Sequence, residues 1–195
     1  MAARSLVLAT RNPHKLKEFR RLLEPAGVAV EPLPEHVELP VEQGATFADN
    51  ALPKARAAAA AAGSPAVADD SGIEAKALGG APGVRSARYA GDGASDEDNL
   101  DKLIREAPAG SALRYVCALA YVDPSDGEEQ LFYGYCIGRL ADHPRGSRGF
   151  GYDPAFIPDD GDRGRTMAEL TDAEKDAISH RGRAARALLG WLQGR

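Results

Sequence analysis

Two long strand-like runs, residues 113–122 and 131–140, flank Asp123-Pro124-Ser125-Asp126-Gly127, and this arrangement constrains the fold more than any other feature of the chain. Pro, Asp, Ser and Gly in one short segment are turn residues. Strands joined so tightly can only run antiparallel. The chain begins differently, with the apolar run Leu6-Val7-Leu8-Ala9 feeding directly into a helical pattern. A buried strand followed by a helix belongs to the parallel style of sheet construction. A fold containing both is α/β with a mixed sheet.

The remaining elements follow from local signals. Asn12 suits a helix cap and Pro13 the first helical position, and the helix reaches about residue 24 with Leu16, Phe19, Leu22 and Leu23 on its apolar face. Residues 28–31 read as a second strand, and residues 32–40, with three prolines, as an extended connection. Thr46-Phe47-Ala48-Asp49 has the pattern of a capping box, in which two side chains satisfy each other's backbone N–H groups, and the alanines carry that helix to Gly63. Residues 66–68 form a third apolar segment that ends at Asp69-Asp70-Ser71-Gly72. Ser95 opens an acid-led helix with Leu100, Leu103 and Ile104 inside. Thr171-Asp172-Ala173-Glu174 is another capping box, and Ser179 precedes a final helix expected to bury Ala184, Ala187, Leu188, Trp191 and Leu192. No repeat or linker divides the chain, so a single domain over residues 1–195 is expected.

Charge narrows the partners. A formal net charge of −5 argues against a general nucleic-acid binder, which needs a basic surface to neutralise phosphates. No apolar run approaches membrane-spanning length, and residues 1–10 lack the apolar stretch of a secretory signal. Cys117 and Cys136 are far from any metal-ligand spacing and read as buried, inert thiols of a cytoplasmic protein.

Five segments carry candidate chemistry, and each also has an ordinary structural reading. Thr10, Arg11, Asn12, Pro13, His14 and Lys15 lie at a strand-to-helix junction whose N–H groups and ammonium suit phosphate. The glycines of a Walker loop or dinucleotide fingerprint are missing, and the same residues also make an ordinary capped helix. Asp69 and Asp70, as strand neighbours, face opposite sides, so one serves as metal ligand or general base while the other orients backbone or solvent. Glu42 and Lys54 bracket the Thr46 cap, and Glu42 with Asp70 would suit Mg²⁺, which takes one or two carboxylates plus phosphates and water. In Gly149-Phe150-Gly151-Tyr152-Asp153-Pro154, Phe150 can stack on a base, with Gly151 permitting close backbone approach; a core-packed aromatic turn is the alternative. Lys175, His180 and Arg181 place donors around the last helix start, and donors favour a purine keto oxygen over an adenine amino group.

Taken together, TRNPHK at 10–15, EQGATFADNALPKA at 42–55, DDSGIEAKALGGAPGVRSARYAG at 69–91, GFGYDP at 149–154 and ELTDAEKDAISHRGRA at 169–184 resemble the inosine triphosphate pyrophosphatase family. The resemblance spans nearly the whole chain. It implies an elongated, two-lobed α/β fold around a central mixed β-sheet, with a nucleotide cleft between the lobes and a homodimer. It also implies hydrolysis of ITP, dITP and XTP to the monophosphate and pyrophosphate, with Mg²⁺ as cofactor. By the resemblance, Thr10 to Lys15 and Lys54 hold the triphosphate, Asp70 is the proton acceptor and a metal ligand, and Glu42 is the second metal contact. Ser71 touches substrate, while Phe150, Gly151, Tyr152, Asp153, Lys175, His180 and Arg181 form the base-binding set. The 159–165 loop is longer than is usual in that family, and Arg148 stands where a small or polar residue is common.

Three other readings compete. A septum-inhibitor type of nucleotide pyrophosphatase would share fold and metal, but SHRGRA at 179–184 is not expected there. An aspartyl phosphatase needs Asp-x-Asp, which Asp69-Asp70-Ser71 does not supply. A silent nucleotide-binding module would keep the contacts without turnover.

Overall fold

The computed structural model describes residues 4–161 and 164–194. Two positions of the long 159–165 loop, 162 and 163, fall outside the described residues.

Strand β1 (Arg4–Leu8) runs into helix α1 (Pro13–Leu23), and β2 (Val28–Pro32) returns parallel to β1 with Leu6 opposite Val30. Helix α2 (Phe47–Ala62) follows, and then β3 (Ala66–Ala75), parallel to β1 on its other side. After α3 (Asp96–Glu106) come β4 (Ala112–Asp123) and β5 (Glu128–Leu140), neighbours joined by four residues. The short β6 (Phe156–Pro158) lies antiparallel to β5, and α4 (Asp172–Ile178) and α5 (His180–Gln193) close the chain. The sheet order is β2-β1-β3-β4-β5-β6. It is mixed, as the tight turn and the opening strand-helix unit require.

Local chemistry accounts for the helix ends. Thr46/Asp49, Ser95/Asp98 and Thr171/Glu174 each form a reciprocal capping box, and Gly63 ends α2 in the left-handed conformation. In α2 the alanines at 51, 55, 58 and 59 are buried, one stripe of helical spacing that lets the helix lie close to its support.

The backbone separates into two compact units. Unit 1 comprises residues 1–70, 117–134 and 181–195, and packs around Leu6, Leu8, Phe19, Val67, Leu119 and Leu188. Unit 2 comprises residues 71–116 and 135–180, with Ile73, Leu103, Tyr115, Phe156 and Met167 at its centre. Cys117 and Cys136 are buried thiols that form no disulfide. No helix among the described residues is long and apolar enough to cross a membrane.

Two sequence expectations are corrected. β3 does not stop at the acidic pair but continues to Ala75, so Asp69 and Asp70 sit within a buried strand. Polar residues interrupt the apolar run there without interrupting the backbone ladder. In α5 the exposed residue is Ala187 while Ala185 is buried, a small rotation of the apolar stripe from the expected face.

Candidate functional site

In unit 1 the strand geometry splits the acidic pair. Asp69 turns to one side, where its Oδ1 meets the Lys15 ammonium at 3.0 Å and its Oδ2 accepts from Arg181 Nε at 3.2 Å. The same guanidinium donates through Nη1 to Glu18 Oε2 at 3.0 Å. Lys15 and Glu18 stand one turn apart on α1, so Lys15, Asp69, Arg181 and Glu18 form an alternating, neutral set of charges. The side chains of Asp69, Arg181 and Glu18 are each at most 8 % exposed. Each charge therefore depends on its neighbours for what water would otherwise supply. The expectation that the second carboxylate serves backbone or solvent is corrected: Asp69 holds two cations.

Asp70 turns the other way. Its Oδ2 accepts from the Asn50 amide at 2.9 Å, and its Oδ1 is 4.0 Å from the Lys54 ammonium. Lys54 in turn donates to Glu42 Oε1 at 2.5 Å and to the Asp69 carbonyl at 2.8 Å. Two carboxylates thus converge on one buried ammonium. Burial pushes the Asp70 carboxyl above its ordinary range and Glu42 adds repulsion, against the pull of Lys54, the Asn50 amide and Lys15. Such a carboxyl is poised to accept a proton nearer neutrality than an exposed aspartate is. Among the described residues no group of three His, Cys, Asp or Glu side chains is placed to hold a metal. Glu42 and Asp70 alone provide hard oxygen donors, a set that fits a divalent cation completing its shell with phosphate and water.

The start of α1 differs from the open phosphate cradle expected. Asn12 Oδ1 accepts from the N–H groups of His14 (2.9 Å) and Lys15 (3.3 Å), and Thr10 Oγ1 accepts from Asn12 N at 3.1 Å. The cap occupies the donors that were to be free, because a short amide side chain reaches them without cost. Arg11 is committed elsewhere: its guanidinium donates to the carbonyls of Leu33, Pro34, Glu35 and Val37 at 2.8–3.0 Å, tying down the extended connection. Pro13 and His14 are exposed on the first turn, and Ser71 is half-buried next to Asp70 in β3.

Unit 2 gathers the second group. Asp153 Oδ2 accepts from Lys175 Nζ at 2.6 Å and from Phe150 N at 3.0 Å, and Tyr115 donates its hydroxyl to Asp153 Oδ1 at 3.2 Å. The Lys175 ammonium lies 5.3 Å from the centre of the half-buried Phe150 ring. His180 is buried with its ring stacked on that of Tyr115, 4.5 Å between centres and 8° between planes. Asp96 at the start of α3 accepts from Gly151 N at 2.9 Å.

The close approach expected at Gly151 is found at Gly149 instead. Gly151 needs its φ of +61° but has open space where a Cβ would go; at Gly149, with φ of +74°, a Cβ would strike the Asp153 carboxylate. Tyr152 is also repositioned: it is buried and donates to the Ser86 carbonyl at 2.7 Å, with its phenol pushed above the ordinary range by burial. It supports the turn from beneath.

Of the residues expected at the site, the structure groups Glu42, Lys54 and Asp70, groups Lys15 with Arg181 through Asp69, and groups Phe150, Asp153 and Lys175. Within unit 1 Arg181 bonds to Asp69 and Glu18, and within unit 2 Lys175 bonds to Asp153. Glu18, Asn50 and Tyr115 escaped the sequence reading. Only Glu18 left a signal, as a carboxylate on the apolar stripe of α1 one turn after Lys15.

The chain is similar to known proteins over nearly its whole length. The dITP/XTP pyrophosphatase of Symbiobacterium thermophilum is 51% identical over 188 residues, covering 94% of this chain and 92% of the relative. That of Bacillus subtilis is 45% identical, with 96% of each covered. Among solved structures, a HAM1 protein from Coxiella burnetii superimposes with a TM-score of 0.85 at 39% identity, over 98% of this chain and 100% of the other. The sequence profile described as the Ham1 family matches residues 6–191, and the chain belongs to that family.

Proposed function

We propose that this chain hydrolyses deaminated purine nucleoside triphosphates, dITP, ITP and XTP, to the monophosphate and pyrophosphate, cleansing the nucleotide pool. The carrying observation is the convergence of Glu42 and Asp70 on the Lys54 ammonium, an acid pair already gathered around a positive charge. The relatives' names supply the substrate class.

In this reading Asp70 takes the proton of the attacking water, which its raised affinity for protons suits. Asn50 fixes the carboxylate's orientation through Oδ2. Lys15 and Lys54 face the triphosphate and stabilise charge as pyrophosphate leaves the α-phosphorus. Thr10 offers its hydroxyl, Asn12 shapes the helix start, and Ser71, next to Asp70 in β3, contacts the substrate. Glu42 and Asp70 would hold Mg²⁺, which when bound supplies charge neutralisation on the phosphate oxygens. Phe150 stacks on the purine, and Lys175 and His180 donate to its keto oxygen. Asp153 uses one of the three ammonium hydrogens of Lys175 and orients the remainder.

A homodimer is also proposed. Leu131, Tyr133, Tyr135 and Ile137 alternate along one face of β5 with 37–46 % exposure, an apolar stripe of the kind that association covers. A monomer mass in sedimentation would overturn it. The unbridged thiols fit a cytoplasmic setting.

The test is product analysis with ITP and Mg²⁺ beside ATP and GTP. Pyrophosphate from ITP, with ATP and GTP largely spared, is expected, and Asp70→Asn should lose roughly 10²-fold or more in turnover. Orthophosphate as the product would place the attack at the terminal phosphorus and refute the reading.

A further inference from the structure

Within unit 2 the Tyr115 side chain touches two of the residues assigned to the base, Asp153 through its hydroxyl and His180 through its ring. It belongs to β4 and is 6 % exposed. Its hydroxyl donates to Asp153 Oδ1, the carboxylate whose other oxygen holds the Lys175 ammonium and the Phe150 N–H. Its ring lies flat on the His180 imidazole, and its other neighbour is Phe156, 4.5 Å away between centres and tilted by 37°. A buried strand residue wedged between a phenylalanine and an imidazole has little rotational freedom. It transmits that rigidity to what it touches.

We infer that Tyr115 is a positioning residue for purine discrimination, acting through Asp153 on Lys175 and through ring stacking on His180. This rests on the assignment of Lys175 and His180 to the base. The physical argument concerns orientation. A carboxylate held through one oxygen can swing about its Cβ–Cγ bond, and a lysine reaches its target by four rotatable bonds. Donating to Oδ1 fixes the plane of Asp153, so Oδ2 presents one defined direction to Lys175. The stacked ring fixes the plane of His180, and with it the direction of its N–H groups. Discrimination between a keto oxygen and an amino group needs donors held in register, because a donor free to turn accommodates both.

The two functions of the side chain separate by substitution. Tyr115→Phe keeps the ring and removes the hydroxyl; Tyr115→Leu removes both. The experiment measures KM and kcat for ITP and for ATP with each variant, with Lys175→Ala in parallel and thermal melting to establish folding. Tyr115→Phe is expected to raise KM for ITP roughly three- to tenfold, with a smaller change in kcat. Tyr115→Leu is expected to lower the ITP-to-ATP ratio of kcat/KM by about tenfold or more. Equal losses on ITP and ATP, or unchanged KM and ratio in folded Tyr115→Phe, would overturn the inference, since a purely structural role does not distinguish the two bases. If Lys175→Ala abolishes the preference while both Tyr115 variants retain it, only the positioning role falls. If Lys175→Ala also retains the preference, the base assignment is wrong and the inference falls with it.

Discussion

Replacing Arg181 by Met tests the charge set of unit 1 directly. The guanidinium is bound on one side by Asp69 and on the other by Glu18, with all three side chains at most 8 % exposed. Methionine fills similar volume but takes from Glu18 and Asp69 the guanidinium that they share. Removing one partner of a buried ion pair costs about 3–5 kcal/mol, because the other charge stays desolvated. At about 2–4 °C per kcal/mol for a chain of this size, the melting temperature should fall by roughly 6–20 °C. Arg181→Lys keeps the charge, yet one ammonium cannot reproduce the Nε and Nη1 contacts together, so a smaller loss of about 1–3 kcal/mol is expected. Adding Glu18→Gln to Arg181→Met should recover part of the loss, since the carboxylate that lost the guanidinium is then neutral. Urea denaturation of the two single variants and the double variant provides the assay. A loss below about 1 kcal/mol in Arg181→Met would show that the set is solvated and refute the reasoning.

The remaining expectations are narrower. Because Asp70 holds its proton more tightly in the folded chain than in the unfolded one, its ionisation destabilises the metal-free protein. The penalty is absent below the unfolded carboxyl range, grows as pH rises through the window between the unfolded and folded values, and is full above it. Asp70→Asn, without Mg²⁺, should therefore melt higher than the parent at neutral pH, with the gap closing under acid; a lower melting point at neutral pH contradicts this. Gly149→Ala forces a left-handed alanine at a cost of about 1–2 kcal/mol and pushes its Cβ against Asp153, so a lower melting temperature and a raised KM for ITP should appear together. Cys117 is fully buried with its thiol pushed well above the ordinary range, so an alkylating reagent should label it in urea but not in the native chain; rapid native labelling would refute its burial.

What the sequence disclosed and what it withheld divide along the range of the interactions. Thr46 with Asp49, Ser95 with Asp98 and Thr171 with Glu174 are three residues apart, so each cap was visible as a local pattern. The Asp123 to Gly127 turn fixed the neighbouring strands for the same reason. The opposite facing of Asp69 and Asp70 followed from strand period, while the continuation of β3 did not, since polar residues inside a buried strand look like its end. Arg181 finds Asp69 at a separation of 112 residues and Glu18 at 163, and no window of sequence contains those pairs. The Asn12 cap was anticipated, yet its competition with phosphate for the N–H groups of His14 and Lys15 is visible only in three dimensions. Tyr115 resembled any other core aromatic until its hydroxyl and ring were seen to touch separate residues.

The back-to-back aspartates make the register of β3 a matter of chemistry as well as packing. Val7 N donates to the Pro65 carbonyl and Ala9 N to that of Val67, and these bonds hold β3 in step with β1. A slip of one residue reverses the facing of every side chain in a strand. Here it would present Asp70 to Lys15 and Arg181, and remove from Asn50 and Lys54 the carboxylate that the proposed reaction uses. A single inserted or deleted residue between 66 and 69 thus interchanges an anchor with a base, whereas the same change in the 159–165 loop leaves both where they are.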